Sequence, residues 1–173
     1  MGEIDDLLEA AWARPDELAA PELGPQPRRK VALVTCMDAR IDAFHMLGIE
    51  RGDANVIRNA GGLITEDVLR SLSASQRLLG TEAVIVVMHD GCGLCGASDE
   101  EFAEQLLADG VSPLWRLGAF ANVEATLAFG LARLRSSPEL IAKDEIRGFV
   151  FNPDDGSLRE VAALAPADSA ERS

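Results

Sequence analysis

Tyrosine is absent from this chain, and aromatic residues of any kind make up only 5% of it. So sparse a supply disfavours a stacking platform for bases or sugars and removes tyrosine as a general acid. Basic residues are also outnumbered: 16 Lys and Arg stand against 29 Asp and Glu, for a formal charge of −13. A nucleic-acid binder needs a basic face to neutralise phosphates, whereas this chain as a whole repels them. The acidic excess reads as solubility. No apolar run approaches the ~20 residues of a membrane helix. The opening stretch MGEIDDLLEAAWARPDE is acidic and amphipathic, unlike the basic segment and apolar core of a signal peptide. Three cysteines are too few for a disulfide framework in a chain this large and read as reduced thiols in a cytoplasmic protein. No such framework is needed, because a chain of this length buries roughly 70% of its unfolded surface in one domain.

Residues 2–13 place Ile4, Leu7, Leu8, Ala11 and Trp12 on one helical stripe, ahead of Pro15 and the loop-like PELGPQPRRK. This N-terminal helical arm, residues 1–27, is expected outside the sheet domain, packed on its own body or reaching to a second subunit. The domain itself is expected over 28–165. Its first strand is Val31–Thr35, followed by a short helix at Asp42–Leu47 that Gly48 stops. A second strand at Asn55–Asn59 leads to a helix over Glu66–Leu79, set between a Thr65 cap and Gly80. A third strand occupies 83–89. Ser98-Asp99-Glu100-Glu101 has the form of a capping box opening a helix to about Asp109. A further helix is predicted over Ala119–Leu134, then a hairpin of Arg147–Asn152 and Leu158–Val161 across Pro153-Asp154-Asp155-Gly156. Alternating strands and helices with a closing hairpin predict an α/β, Rossmann-like, mainly parallel sheet with an antiparallel edge strand and helices on both faces. Residues 166–173 read as a frayed tail.

The chemistry concentrates in Ala83–Gly96, AVIVVMHDGCGLCG. Unbroken, mostly β-branched apolarity suits a strand buried on both faces of a parallel sheet. Its carboxyl end, where open α/β sheets place ligands, delivers His89 and Cys92. The strand at 31–35 ends likewise in Cys36. Neighbouring strands lie about 5 Å apart, so the three side chains can converge on one ion. Two thiolates and an imidazole favour zinc over magnesium, calcium or manganese, and leave a fourth tetrahedral position for water. Asp38 and Arg40 follow two and four residues after Cys36. Beside a metal, an aspartate can accept the hydrogen bond of bound water, and an arginine can hold that carboxylate ionised and aimed.

These residues bring a family into view. Cys36-Met37-Asp38-Ala39-Arg40, the run from Gly52 through Arg58-Asn59-Ala60-Gly61-Gly62, His89-x-x-Cys92-Gly93 and Ile146-Arg147-Gly148-Phe149-Val150 stand in one order over residues 28–161. In this the chain resembles the β-class carbonic anhydrases, especially the short prokaryotic members. The resemblance implies one zinc per chain on Cys36, His89 and Cys92, with Asp38 and Arg40 as the catalytic dyad. It implies reversible hydration of carbon dioxide to bicarbonate by zinc-hydroxide attack, with Ala60 and Gly61 lining a small apolar substrate pocket. It also implies a homodimer or larger homo-oligomer in which the N-terminal helix embraces the partner. Some relatives close the site by letting the dyad aspartate bind zinc. Were Asp38 to do so, activity would rise on alkalinisation.

The chain departs from the family at Asp90-Gly91, where close relatives carry Thr-Asp, so the acidic side chain is displaced by one position. Cys92-Gly93-Leu94-Cys95 also has the spacing of a dithiol redox pair, a role that would leave Cys36, Asp38 and Arg40 idle. Alternatively, Cys95 completes a closed zinc site in a non-catalytic module, or is a bystander thiol. His45 is a candidate proton shuttle, though such a residue is more often a packing or surface group. Carbon disulfide and carbonyl sulfide remain alternative substrates of the same framework.

Overall fold

The structure is a computed structural model that describes residues 2–162. The expected tail at 166–173 and the last residues of the expected domain range lie outside the described residues. Four parallel strands, β1 (Val31–Cys36), β2 (Ala54–Asn59), β3 (Ala83–His89) and β4 (Glu145–Phe151), take the order β2-β1-β3-β4. The short β5 (Leu158–Val161) pairs antiparallel with β4 at the sheet's edge, closing the expected hairpin.

Strand alternation sorts the core. Ala32, Val34, Val84, Val86, Met88, Ile146 and Val150 share one layer with Val68, Leu69 and Leu72 of α4 (Glu66–Leu79) and Leu127, Leu131 and Leu134 of α6 (Val123–Ser136). Each such large aliphatic side chain contributes about 1.5–3 kcal/mol when fully buried. Leu33 and Val87 face the other way, onto Ala43, Met46 and Leu47 of the short α3 (Ala43–Leu47). So small a helix leaves Ile85, Phe149 and Val31 on this face only partly covered.

Asp42 caps α3 by accepting from the amides of Phe44 and His45, and Gly48 ends it in the left-handed conformation. Thr65 caps α4, with Gly80 as its left-handed stop. The helix expected from Ala119 begins instead at Val123. The amides of Gly118 and Ala119 donate to Asp99 Oδ1, both at 2.9 Å, and Phe120 pairs with Cys95 in an isolated bridge. Asn122 then supplies the cap by accepting from Ala125 N–H. At α5 (Asp99–Ala108), half of the expected capping box is made: Ser98 Oγ accepts from Glu101 N–H but donates to Glu100. The arm forms α1 (Glu3–Trp12) and α2 (Pro15–Leu18), in which no residue is buried; Trp12 is 70% exposed. Among the described residues no helix is long and apolar enough to cross a membrane.

Candidate metal centre

β1 and β3 are adjacent and parallel, with Thr35 opposite Val87. Cys36 and His89 therefore stand one and two residues beyond that pair, at the same end of the sheet. The Thr35 hydroxyl donates to the Val87 carbonyl at 2.9 Å, tying the strands together just before they diverge. Gly62 makes a second tie. Its φ is +66°, and a Cβ there would lie 3.1 Å from Cys36 N, 3.2 Å from Thr35 C and 3.2 Å from Val87 O. The 3-10 turn Ala60–Gly62 can cross both strand ends at this distance only because the residue lacks a side chain.

The ligand atoms of Cys36, His89 and Cys92 lie within 4.8 Å of one another, and all three residues are buried. Ile41, Met46, Leu94, Phe120 and Phe151 enclose the two cysteines. His89 Nδ1 lies 3.0 Å from the Asp90 carbonyl, which can only accept, so Nδ1 donates and the neutral ring presents its lone pair at Nε2. Nε2 is the one buried side-chain nitrogen or oxygen without a hydrogen-bond partner among the described residues. Burial pushes the Cys92 thiol above its ordinary pKa, and the neighbouring Cys36 sulfur pushes in the same direction. An unpartnered imidazole nitrogen beside two buried sulfurs fits a divalent cation of borderline softness, as zinc is.

Asp38 and Arg40 stand at the rim. Arg40 Nε and Nη2 grip the two carboxylate oxygens at 2.9 and 2.8 Å, and the Arg40 amide adds a third bond at 2.9 Å. These contacts hold the Asp38 carboxyl well below the usual carboxylate range, the side-chain bond being the largest cause. Arg40 Nη2 also donates to the Gly91 carbonyl at 2.9 Å, linking the β1 exit to the loop between His89 and Cys92. Asp38 Oδ2 is 3.8 Å from His89 Nε2.

Two arginines without an expected role also reach the site. Arg58 of β2 donates from Nε to the Cys36 carbonyl at 2.9 Å and from Nη2 to the Asp38 carbonyl at 2.8 Å. Arg159 of β5 forks onto Asp90. The β1–β2 register places Arg58 beside Thr35 and could have pointed to the first; no local signal pointed to the second. Cys95 stays outside the cluster, exposed, with its thiol 3.9 Å from the Ala121 carbonyl. His45 also lies outside it, exposed on α3 with Nδ1 2.6 Å from Asp42.

A mainly parallel α/β sheet whose central strands end in a cysteine and a histidine, with a second cysteine in the loop just beyond and an arginine-held aspartate at the rim, defines a class of zinc-site α/β enzymes. The family model described as carbonic anhydrase matches residues 31–117. β-Carbonic anhydrase 1 of Mycobacterium tuberculosis is 40% identical over 136 residues, covering 78% of this chain and 83% of that protein. The carbonic anhydrase structure from Streptococcus mutans superposes with a TM-score of 0.85 at 36% identity, over 93% of this chain and 98% of that one. A carbon disulfide hydrolase of Acidianus sp. is 34% identical over 169 residues, 93% of this chain and 77% of that protein. The chain belongs to the β-carbonic anhydrase family. That membership, with the zinc such enzymes use and the cluster seen here, supports carbonic anhydrase activity.

Proposed function

We propose that this protein catalyses the reversible hydration of carbon dioxide to bicarbonate at the Cys36–His89–Cys92 site. The observation that carries it is the convergence of these buried donors beside an aspartate that Arg40 holds ionised. Zinc, when bound there, supplies a Lewis acid that makes water nucleophilic near neutral pH. The remaining work falls to the chain. Asp38, unprotonated and fixed by three bonds from Arg40, is an acceptor for the proton of the attacking water and so orients its lone pair. Arg58, bonded to the carbonyls on either side of Met37, keeps that carboxylate and the Cys36 ligand in one rigid unit.

A small apolar wall suits carbon dioxide. A Cβ built on Gly61 would meet Leu94 and Phe120 at 3.0 and 3.4 Å, and these side chains also pack on the two cysteines. Gly61 is assigned to that wall on this ground, and Ala60 joins it as its neighbour in the same turn. Ile4, Leu7 and Trp12 lie exposed along α1, while Ile85 and Phe149 are incompletely covered on the sheet. Two copies exchanging arms would bury both surfaces, so a homodimer or larger homo-oligomer belongs to this proposal. So does the cytoplasm, whose reducing conditions preserve thiolate ligands.

Stopped-flow hydration on protein of measured zinc content is the test, with carbon disulfide turnover as a parallel arm. Near-stoichiometric zinc with hydration is expected. Stoichiometric zinc with carbon disulfide turnover alone would move the chain to the hydrolase side of the family, and metal-free protein would remove the site.

A further inference from the structure

We propose that Arg159, on the antiparallel edge strand, is a positioning residue that sets the hold on the metal through Asp90 and His89. Its guanidinium forks onto Asp90, Nη1 to Oδ2 at 2.7 Å and Nη2 to Oδ1 at 2.8 Å. Its Nε donates to Glu124, in the first turn of α6, at 3.0 Å. Asp90 is further fixed by its own amide, which donates to the Phe151 carbonyl of β4 at 2.9 Å. The peptide that offers its carbonyl to His89 Nδ1 is thus gripped from β4 through its residue's amide and from β5 and α6 through its side chain.

The consequence is chemical. The Asp90 carbonyl dictates which ring nitrogen carries the proton, and its direction dictates where the lone pair on Nε2 points. Partners of this kind, one bond removed from a metal, typically carry 10–100-fold of the affinity. The strap also gives a purpose to the displaced acidic residue. An aspartate at position 90, directly after the histidine, has its side chain where an arginine from β5 can take both oxygens.

The same hairpin contains a natural control. Arg147 of β4 forks onto Glu160 of β5 at 2.8 and 2.7 Å and joins the same two strands. None of the polar contacts of that pair reaches Asp90 or His89. A merely structural role for Arg159 predicts that the two arginines behave alike.

The inference rests on the metal site proposed above. The test measures zinc affinity of the folded protein by competition with a chromophoric chelator, together with the visible spectrum of the cobalt-substituted form. Arg159→Ala, which acts on the direct partner of His89 rather than on the ring itself, is expected to weaken zinc binding by about tenfold, the lower end of what such a partner carries, and to change the cobalt bands. Arg147→Ala should leave both readings at the parent's values. Arg159→Lys, which keeps the charge and loses the fork, should fall between parent and alanine; it is read alone if the alanine variant does not fold. Parent-like zinc affinity in Arg159→Ala, or in the lysine variant when read alone, overturns the proposal, as does an equal loss in Arg147→Ala. Failure of the parent itself to bind zinc would instead sink the site.

Discussion

Two arginine–aspartate pairs flank the three ligands, built from the same groups at nearly the same distances, yet they face opposite ways. In the first, Arg40 takes both oxygens of Asp38 and leaves the carboxylate at the rim, 3.8 Å from His89 Nε2. In the second, Arg159 takes both oxygens of Asp90 on the far side of the imidazole, where the backbone carbonyl of that aspartate meets Nδ1. The first pair addresses the place where chemistry would occur. The second addresses the ligand from behind. A bidentate guanidinium contributes geometry as much as energy, and what that geometry serves depends on which atom of the aspartate the site uses: a side-chain oxygen at 38, a main-chain oxygen at 90.

The contrast breaks most cleanly at Asp38. Asp38→Ala is expected to lower kcat for hydration by about 10²-fold or more while zinc stays at one per chain. That is the reverse of the pattern expected at Arg159, where metal retention moves first. Stopped-flow rates and metal analysis on the same preparation decide it. An Asp38→Ala protein that lost its zinc together with its rate would place both pairs in the same role and erase the difference between them.

The two pairs also differ in how far the sequence exposes them. Asp38 and Arg40 are two residues apart, directly after a strand that ends in a cysteine, so both their proximity and their place in the sheet could be read from the chain. Arg159 is 69 residues from Asp90, and its contact exists only because the terminal hairpin folds back along β4. The strands themselves were legible from β-branched runs and glycine stops, and the ligands from their place at strand ends. What stayed hidden depends on tertiary contact. Arg58 crosses from β2 to cap the β1 exit, and residues 118–120 are drawn out of the α6 helix by Asp99 and Cys95. An Ala- and Leu-rich stretch has helical propensity throughout, and only the partners of those amides decide where the helix begins.

A smaller effect is expected where both pairs depend on one backbone contact. Gly62 lies against Cys36 N, Thr35 C and Val87 O, so the β1 and β3 ends that bear the two aspartates are spaced by it. Those neighbours are main-chain atoms that cannot rotate away, and the left-handed φ adds strain to any side chain. Gly62→Ala should cost about 1–3 kcal/mol, read as a fall in Tm of about 2–12 °C. Unlike Asp38→Ala, which spares the zinc, and Arg159→Ala, in which metal retention moves first, it should lower zinc affinity and hydration rate together. An unchanged Tm would mean that the strand ends part freely, and the two pairs would then be independent.

The smallest effect belongs to Cys95, which lies in the loop that both arginines grip yet bonds to neither. The loop is held at Asp90 by Arg159, at Gly91 by Arg40, and at its far end by Phe120, whose carbonyl accepts from Gly96 N–H at 2.8 Å and whose amide donates to Leu94 at 3.1 Å. Cys95 contributes its own amide to Cys92 O at 2.9 Å, a bond that any residue but proline keeps. Its thiol is exposed and makes only a long contact with a carbonyl, so Cys95→Ser changes one surface atom. Surface changes of that kind stay within about 0.5 kcal/mol. Zinc stoichiometry should therefore hold at one per chain, and the hydration rate should remain within about twofold of the parent, the rate equivalent of that energy. A tenfold loss of metal or rate would draw Cys95 into the site as a ligand or as the redox partner of Cys92. The loop would then answer to its sulfur rather than to the two arginines that grip it.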